Sequence, residues 1–416
     1  EEKRHFEKPI PISEIILLDR ERCILCARCT RFSDEISGDP LIEFIQRGNK
    51  TEVNTFPNEP FRSYFSGNTV QICPVGALTS TSYRFKARPW DLKSISSTCN
   101  CCSVGCSIEL NTSQNKMLRI LGEDNEFTNQ GWLSDKGRYN FDYLHSENRV
   151  LNILEKNENS FNDISISQAM KKITSKVEEL NNPNIKFLIG SHSTNEEYFV
   201  INQISNHLNK DKFLSKDKSN VYFCDDLLFK GYFEENYRQA TFEDLDKSET
   251  IVVWAEDIKD NLPVLYLRIK KAVRNGTKLI VFGHTNTAIA GLADFYFGKE
   301  VVSNNFELML NPSELKEFKN NIEGKKVTAI LGKSTVSQKK ESLDKLVNYL
   351  NEFSELKLFN SFSKGNTFGA LQNIDEIKGL NEFCNEFDNE ENNVVFIIGV
   401  NPVNSSYFGN AIKENL

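Results

Sequence analysis

Eight of the ten cysteines in this 416-residue chain fall between positions 23 and 106, and their spacing is that of metal ligands. The run E-R-C-I-L-C-A-R-C-T-R-F supplies Cys23, Cys26 and Cys29, and Q-I-C-P-V-G-A-L supplies Cys73 followed by Pro74. Three cysteines at this interval on one tight turn let three thiolates reach three irons of a cubane, and a remote Cys-Pro brings the fourth. Zinc sites use paired Cys-x-x-Cys motifs around one tetrahedral ion, which suits a third close cysteine less well. The expectation is one 4Fe-4S cluster on Cys23, Cys26, Cys29 and Cys73. Arg28, Arg31 and Arg47 are near these ligands in sequence, where positive charge stabilises a cluster; solvated surface arginines are the plainer reading.

A second set follows in T-C-N-C-C-S-V-G-C, residues 98–106. Cys99, Cys102 and Cys106 form Cys-x-x-Cys-x-x-x-Cys. Cys101 adjoins Cys102, and neighbouring side chains of an extended segment point to opposite faces, so it is expected to stand aside. Such clustering indicates metal ligation in a reducing compartment and not disulfide pairing. Cys224 and Cys384 are isolated in apolar or helical settings and read as buried thiols.

The elements that must position these residues change character along the chain. Residues 1–90 are loop-rich, with turn signals at Ser37-Gly38-Asp39-Pro40 and Ser66-Gly67-Asn68. Residues 91–148 contain short alternating runs, C-S-I-E-L-N-T and K-M-L-R-I-L-G-E-D, which predict a small antiparallel sheet beside the second cysteine set. Residues 149–416 alternate apolar runs with amphipathic ones. Strands are expected at Ile185–Ile189, Val221–Cys224, Ile251–Trp254, Leu279–Phe282, Val327–Leu331 and Val394–Ile398. A helix is expected with Ala169, Met170, Ile173, Val177 and Leu180 on one face and Ser165 and Gln168 at capping-box spacing. The fold class is α/β: a ferredoxin-like cluster segment, a small β-rich module, and a large domain with parallel sheets covered on both faces.

Several functions are disfavoured. The net charge of −8 is made of interspersed residues, with no electrostatic footprint for nucleic acid or an anionic membrane. No run of eighteen apolar residues suggests a membrane span. A-I-L-G-K-S-T-V ends like a phosphate-binding loop, but Val327 stands where its first glycine belongs, so Lys333 is an ordinary residue and ATP is not expected. No G-x-G-x-x-G follows a strand, so NAD is not expected either.

The run from Arg22 through C-A-R-C-T-R-F-S-D-E-I-S-G-D-P-L-I-E-F-I-Q-R-G, with P-F-R-S-Y-F-S-G-N-T-V-Q-I-C-P-V-G-A-L-T-S-T-S-Y-R-F-K-A-R-P-W-D-L, resembles the large iron–sulfur subunit of respiratory complex I, the NADH–quinone oxidoreductase. That resemblance implies a 4Fe-4S cluster in an electron wire, held by Cys23, Cys26, Cys29 and Cys73. It also implies upstream 2Fe-2S and His-plus-three-Cys centres. Their ligands are not in this sequence, and His5 alone is a surface residue, so an internal fragment is expected.

The second set resembles the iron–sulfur module of molybdopterin oxidoreductases. The family's fourth ligand occurs in a sequence similar to W-L-C-D-K-G-R; here the chain reads W-L-S-D-K-G-R, with Ser134 in that place. Three states stay open: a cluster with serine or water at one iron, a three-iron species, or reduced thiols without a cluster. Zinc on three thiolates is a minor fourth. The stretch V-V-W-A-E-D-I-K-D-N-L-P-V-L-Y-L-R-I-K-K-A resembles the same family's large domain, with Ala255-Glu256-Asp257-Ile258 replacing a Gly-x-Asn-Pro turn that Gly399-Val400-Asn401-Pro402 retains. Acidic side chains at a strand-end cleft disfavour a pterin polyphosphate, so no molybdopterin is expected.

The resemblance thus implies an electron-transfer subunit of proton-translocating NADH:quinone oxidoreductase without a substrate site of its own. Its partners would be the flavin- and NADH-binding and the quinone-proximal iron–sulfur subunits of the peripheral arm. It would reach the membrane only through the complex, at the cytoplasmic face of a bacterial plasma membrane or the matrix side of the mitochondrial inner membrane. The alternatives are a molybdopterin-dependent oxidoreductase such as an NAD-linked formate dehydrogenase, and a zinc-stabilised interaction protein.

Overall fold

The computed structural model describes residues 7–401, apart from 58, 158–159, 181–182, 211–219, 225–237, 255–256, 284–286, 298–310, 332–339 and 390–391. His5, Ala255, Glu256, Lys333 and Pro402 fall outside the described residues. The chain forms two compact units, one of Glu1–Asp142 with Phe233–Ser363 and the other of Tyr143–Tyr232 with Lys364–Leu416.

The first unit begins with β1 (Ile10–Pro11) and β2 (Ile16–Leu18), followed by the one-turn helix α1 (Arg28–Arg31), the hairpin β3 (Ile42–Ile45) and β4 (Glu52–Thr55), α2 (Ser66–Ile72) and β5 (Leu78–Ser80). β1, β2 and β5 form an antiparallel sheet in which Ile16 pairs with Ser80. Ile12, Ile16, Leu18, Ile42, Val53, Phe61, Ala77 and Leu78 close a small core under it. Short strands around so few apolar residues leave connections to dominate, as the composition predicts. β6 (Lys93–Thr98), β7 (Ser107–Ser113) and β8 (Lys116–Gly122) then form the expected antiparallel sheet, and α3 (Asp135–Tyr139) follows.

One turn signal has a different outcome. Ser66-Gly67-Asn68 is the buried first turn of α2 and not a loop. Gly67 is required for proximity: a Cβ there would lie 2.3 Å from Arg138 Cδ. Ser37-Gly38 does end a helical turn, with Gly38 left-handed at φ 72°.

The same unit carries a five-stranded parallel sheet in the order Phe295–Phe297, Lys278–Phe282, Thr250–Trp254, Val327–Leu331, Leu356–Asn360. Its Thr250–Trp254 and Val327–Leu331 strands are buried at every residue, which is why they read as continuous apolar runs without alternation. Trp254 stacks on Phe282 at 4.7 Å with 2° between ring planes and meets Phe318 edge-on. Pro263 starts the helix Pro263–Arg274, and its buried Arg268 donates to Glu126 O and to Asp246.

The second unit holds a four-stranded parallel sheet, Lys378–Gly379, Val221–Phe223, Asn184–Ile189, Asn393–Ile398, with Phe187 opposite Val221 on one side and Phe396 on the other. The capping box forms as expected: Ser165 Oγ accepts from Gln168 N, and Gln168 Oε1 accepts from Ser165 N. The helix Ile166–Glu179 packs on the sheet core through the half-buried Val177, whereas Met170 and Ile173 stay exposed, so its apolar stripe is only partly covered. Cys224 is buried, with Cys384 packed against the same cluster. Among the described residues no helix is long and apolar enough to cross a membrane.

Trp254→Ala should destabilise the first unit by about 3–5 kcal/mol, because it removes a fully enclosed ring that the surrounding sheet cannot collapse to replace. A urea titration of wild type and variant would measure it; a difference under about 1 kcal/mol would show that the aromatic stack is not the sheet's anchor.

Candidate metal centres

Cys23, Cys26, Cys29 and Cys73 line one pocket, whose walls are Leu18, Val53, Ala77 and Leu78. The backbone explains their convergence. Leu25 (φ 55°) and Ala27 (φ 61°) both adopt the left-handed region between the cysteines, which curls the segment before α1 begins. Neither is glycine, and each costs on the order of 1 kcal/mol or more, a local expense of the kind found where side chains are held for function. Cys73 ends α2 as its cap residue, extended at φ −70° and ψ 112°, a conformation favoured by the following Pro74. Cys23, Cys29 and Cys73 are half-buried against the small core, while Cys26 is exposed.

The thiols register one another electrostatically. Burial raises the Cys23 pKa, the Leu25 backbone N–H offsets part of this, and Cys73 and Cys26 raise it further. Burial pushes Cys29 up to about 11, again with Cys23, Cys73 and Cys26 adding to it. Four soft donors around one pocket, with Cys23 and Cys29 resisting ionisation, fit a polynuclear iron centre, whose cationic metals replace the protons. Arg28 Nη1 donates to Ile72 O at 3.5 Å, beside Cys73. Arg31 pairs with Glu35, and Arg47 is an exposed residue ahead of a short turn.

In the second set Cys99, Cys102 and Cys106 are all buried, and Cys99 N donates to Cys106 O at 2.8 Å. Ser134 is the N-cap of α3; its Oγ accepts from Gly137 N at 3.2 Å. Gly137 adjoins both this hydroxyl and one of the cysteines: a Cβ there would be 3.0 Å from Cys99 Sγ and 3.5 Å from Ser134 Oγ. Burial raises the pKa of Cys102 and of Cys106, and Cys99 is raised first by a hydrogen bond with Cys101 and then by burial. Cys101 thus lies beside Cys99. The alternation argument assumes extended backbone, and residues 101–104 form a bend and turn. Among the described residues no three His, Cys, Asp or Glu side chains stand close enough to share one metal ion.

The two cysteine sets are linked by a buried polar network that has no signature in the sequence. Asp135 accepts from Ser66 N, Ser66 Oγ and Gly67 N at 2.9, 2.6 and 2.7 Å. Arg138 donates to Ile120 O, Asn68 Oδ1 and Gln71 Oε1 at 3.2, 2.9 and 2.8 Å. Asn68 bonds the Leu133 backbone in both directions, and Gln71 does the same with Gly122. Thus α2, which ends at Cys73, is fastened along its length to the segment bearing Ser134. Asp257 caps the short helix Ile258–Asn261 after the Thr250–Trp254 strand, accepting from Asp260 N at 3.4 Å.

Comparison with known proteins adds three family matches. The ferredoxin-like domain of NADH-quinone oxidoreductase subunit 3 matches residues 13–79, the Fe4S4 domain of molybdopterin oxidoreductases matches 92–146, and molybdopterin oxidoreductase matches 138–416, more than half of the chain. The iron–sulfur domain match supports at least one 4Fe-4S cluster. The G subunit of NADH-quinone oxidoreductase from Streptomyces coelicolor is 52% identical over 155 residues, 37% of this chain and 18% of the relative. The corresponding G subunit from Mycobacterium tuberculosis is 38% identical over 281 residues, 66% of this chain and 34% of the relative. The NADH-ubiquinone oxidoreductase 75 kDa subunit of Reclinomonas americana is 29% identical over 352 residues, 82% and 50%. The chain therefore spans half or less of the length of these relatives. Among solved structures, acetylene hydratase from Pelobacter acetylenicus aligns over 68% of this chain and 42% of its own at 16% identity and a TM-score of 0.40.

Asp135→Ala should cost about 3–5 kcal/mol, because it strips acceptors from three donors and leaves the buried Arg138 without its neighbouring carboxylate. Chemical denaturation would read the loss. A cost below about 1 kcal/mol would mean that the network does not fasten α2.

Proposed function

Because the chain belongs to the molybdopterin oxidoreductase family, and because its relatives are subunits of NADH-quinone oxidoreductase, we propose that it is an electron-transfer portion of such a complex, carrying electrons derived from NADH and flavin towards quinone. The observation that carries this reading is the convergence of Cys23, Cys26, Cys29 and Cys73 on one apolar pocket. A 4Fe-4S cluster held there supplies a one-electron couple. The four thiolates hold it, the walls of Leu18, Val53 and Leu78 exclude water, and Arg28 at the mouth favours the more negative state. The second set, Cys99, Cys102 and Cys106 with Ser134, is a candidate for a further four- or three-iron centre.

In this reading residues 1–90 are the cluster segment, 91–148 the modified iron–sulfur module, and 149–416 a molybdopterin-oxidoreductase-like scaffold that carries no pterin, NAD or ATP. Its partners are the flavin-bearing and quinone-proximal subunits. The assembled enzyme, on the cytoplasmic or matrix side of its membrane, performs the reaction and translocates protons. Asp257, occupied in capping a helix where catalytic relatives would receive a phosphate, supports a scaffold role.

Cys29→Ala in the full-length subunit should remove about four irons and four sulfides per polypeptide and abolish NADH-driven quinone reduction by the assembled complex. Iron and sulfide assay, low-temperature paramagnetic resonance and quinone-reductase kinetics measure these. Unchanged iron would overturn the ligand set, and undiminished quinone reduction the electron-transfer role. One molybdenum or tungsten atom per polypeptide would instead establish a molybdopterin-dependent oxidoreductase.

A further inference from the structure

We propose that Cys101 supplies the fourth thiolate of the second centre, in place of the cysteine absent at Ser134. The inference rests on the reading of this chain as an iron–sulfur protein and adds a ligand that motif spacing leaves out. Three observations carry it. The bend at residues 101–104 separates the two vicinal cysteines, so that Cys102 is buried while Cys101 is partly exposed. Cys101 Sγ then lies against α3: it donates to Lys136 O at 3.7 Å and accepts from Asn140 Nδ2 at 3.6 Å. The same helix is capped by Ser134, and a Cβ at its Gly137 would lie 3.0 Å from Cys99 Sγ and 3.5 Å from Ser134 Oγ. Cys101 therefore meets the helix that Ser134 caps, the element that bears the position of the missing ligand.

Ser134 is poorly suited to the role itself. Its oxygen already caps α3 through Gly137 N, it is 6% exposed, and iron in a cluster prefers soft thiolate to a hydroxyl. The contacts of Cys101 are weak sulfur hydrogen bonds, which cost little to exchange. On ligation the thiol proton leaves to solvent as the sulfur–iron bond forms. The Lys136 carbonyl loses that donor, while the Asn140 amide remains an N–H donor to the bound sulfur, a contact of the type that raises a cluster's potential.

The test compares anaerobically purified full-length wild type with Cys101→Ala and with the double variant Cys101→Ala/Ser134→Cys, by iron, sulfide and low-temperature paramagnetic resonance. Cys101→Ala should lose one cluster signal and between about one and about four irons per polypeptide; the double variant, with its thiolate returned to position 134, should regain both. Iron loss that the added cysteine does not restore would mark Cys101 as a folding residue and overturn the assignment. Wild-type iron and signals in Cys101→Ala would overturn it as well. If Cys29→Ala still removes its own cluster in that case, the electron-transfer reading stands without Cys101; if neither variant loses iron, both fall.

Discussion

The carboxylate of Asp135 is the tie on which the arrangement of both cysteine sets depends. It accepts from the first residues of α2 while its own backbone N–H donates to Tyr64 O, so the starts of α2 and α3 are locked together. Helix α2 is only seven residues long and has no side-chain cap of its own sequence. A helix of that length is unstable in isolation, and a charged acceptor for its leading N–H groups supplies what local sequence does not. Because α2 ends at Cys73 and α3 follows Ser134, one carboxylate sets the placement of the candidate ligand Cys73 and of the residue that stands where the second set lacks a cysteine.

Arg138 extends the tie into the sheet. Its guanidinium reaches β8 through Ile120 O and α2 through Asn68 and Gln71, and the last two pair with backbone as strand neighbours would. Burying such a charge is favourable only when nearly every donor is met, which explains the demand for Gly67: any larger residue would displace the side chain from its partners. The result is a polar joint with fixed geometry between two small apolar cores.

Most of the parallel-sheet architecture is legible in the sequence. Strands such as Val327–Leu331 and Thr250–Trp254 are buried on both faces, so their apolar runs carry an unambiguous signal. Leu356–Asn360 carries a weaker one, because Lys357 and Asn360 interrupt the run, and Lys357 is exposed between the buried Leu356 and Leu358. Cysteine spacing singles out both candidate ligand sets, since spacing is a local property. The Asp135–Ser66 tie spans 69 residues, and no local pattern announces it. Ser66-Gly67-Asn68 therefore looks like a turn, and only the contact with Asp135 and Arg138 makes it a helix. The contact of Cys101 with α3 is hidden for a related reason: the rule of alternating faces holds for strands, and the backbone there bends.

The two centres also differ in how the polypeptide treats its thiols. In the first set Cys26 is exposed and Cys23 and Cys29 are held protonated mainly by burial, so an incoming iron meets an open edge before it meets the buried ligands. In the second set the three spaced cysteines are all buried and all resist ionisation, and Cys99 is hydrogen-bonded to Cys101. Ligand deprotonation is part of the free energy of cluster binding, so a wholly buried set opposes loading more than a half-open one does. A partly exposed thiol beside Cys99 gives the second set the open edge it otherwise lacks. Under the proposed assignment Cys101 is that edge, whereas Ser134 is enclosed and already caps α3.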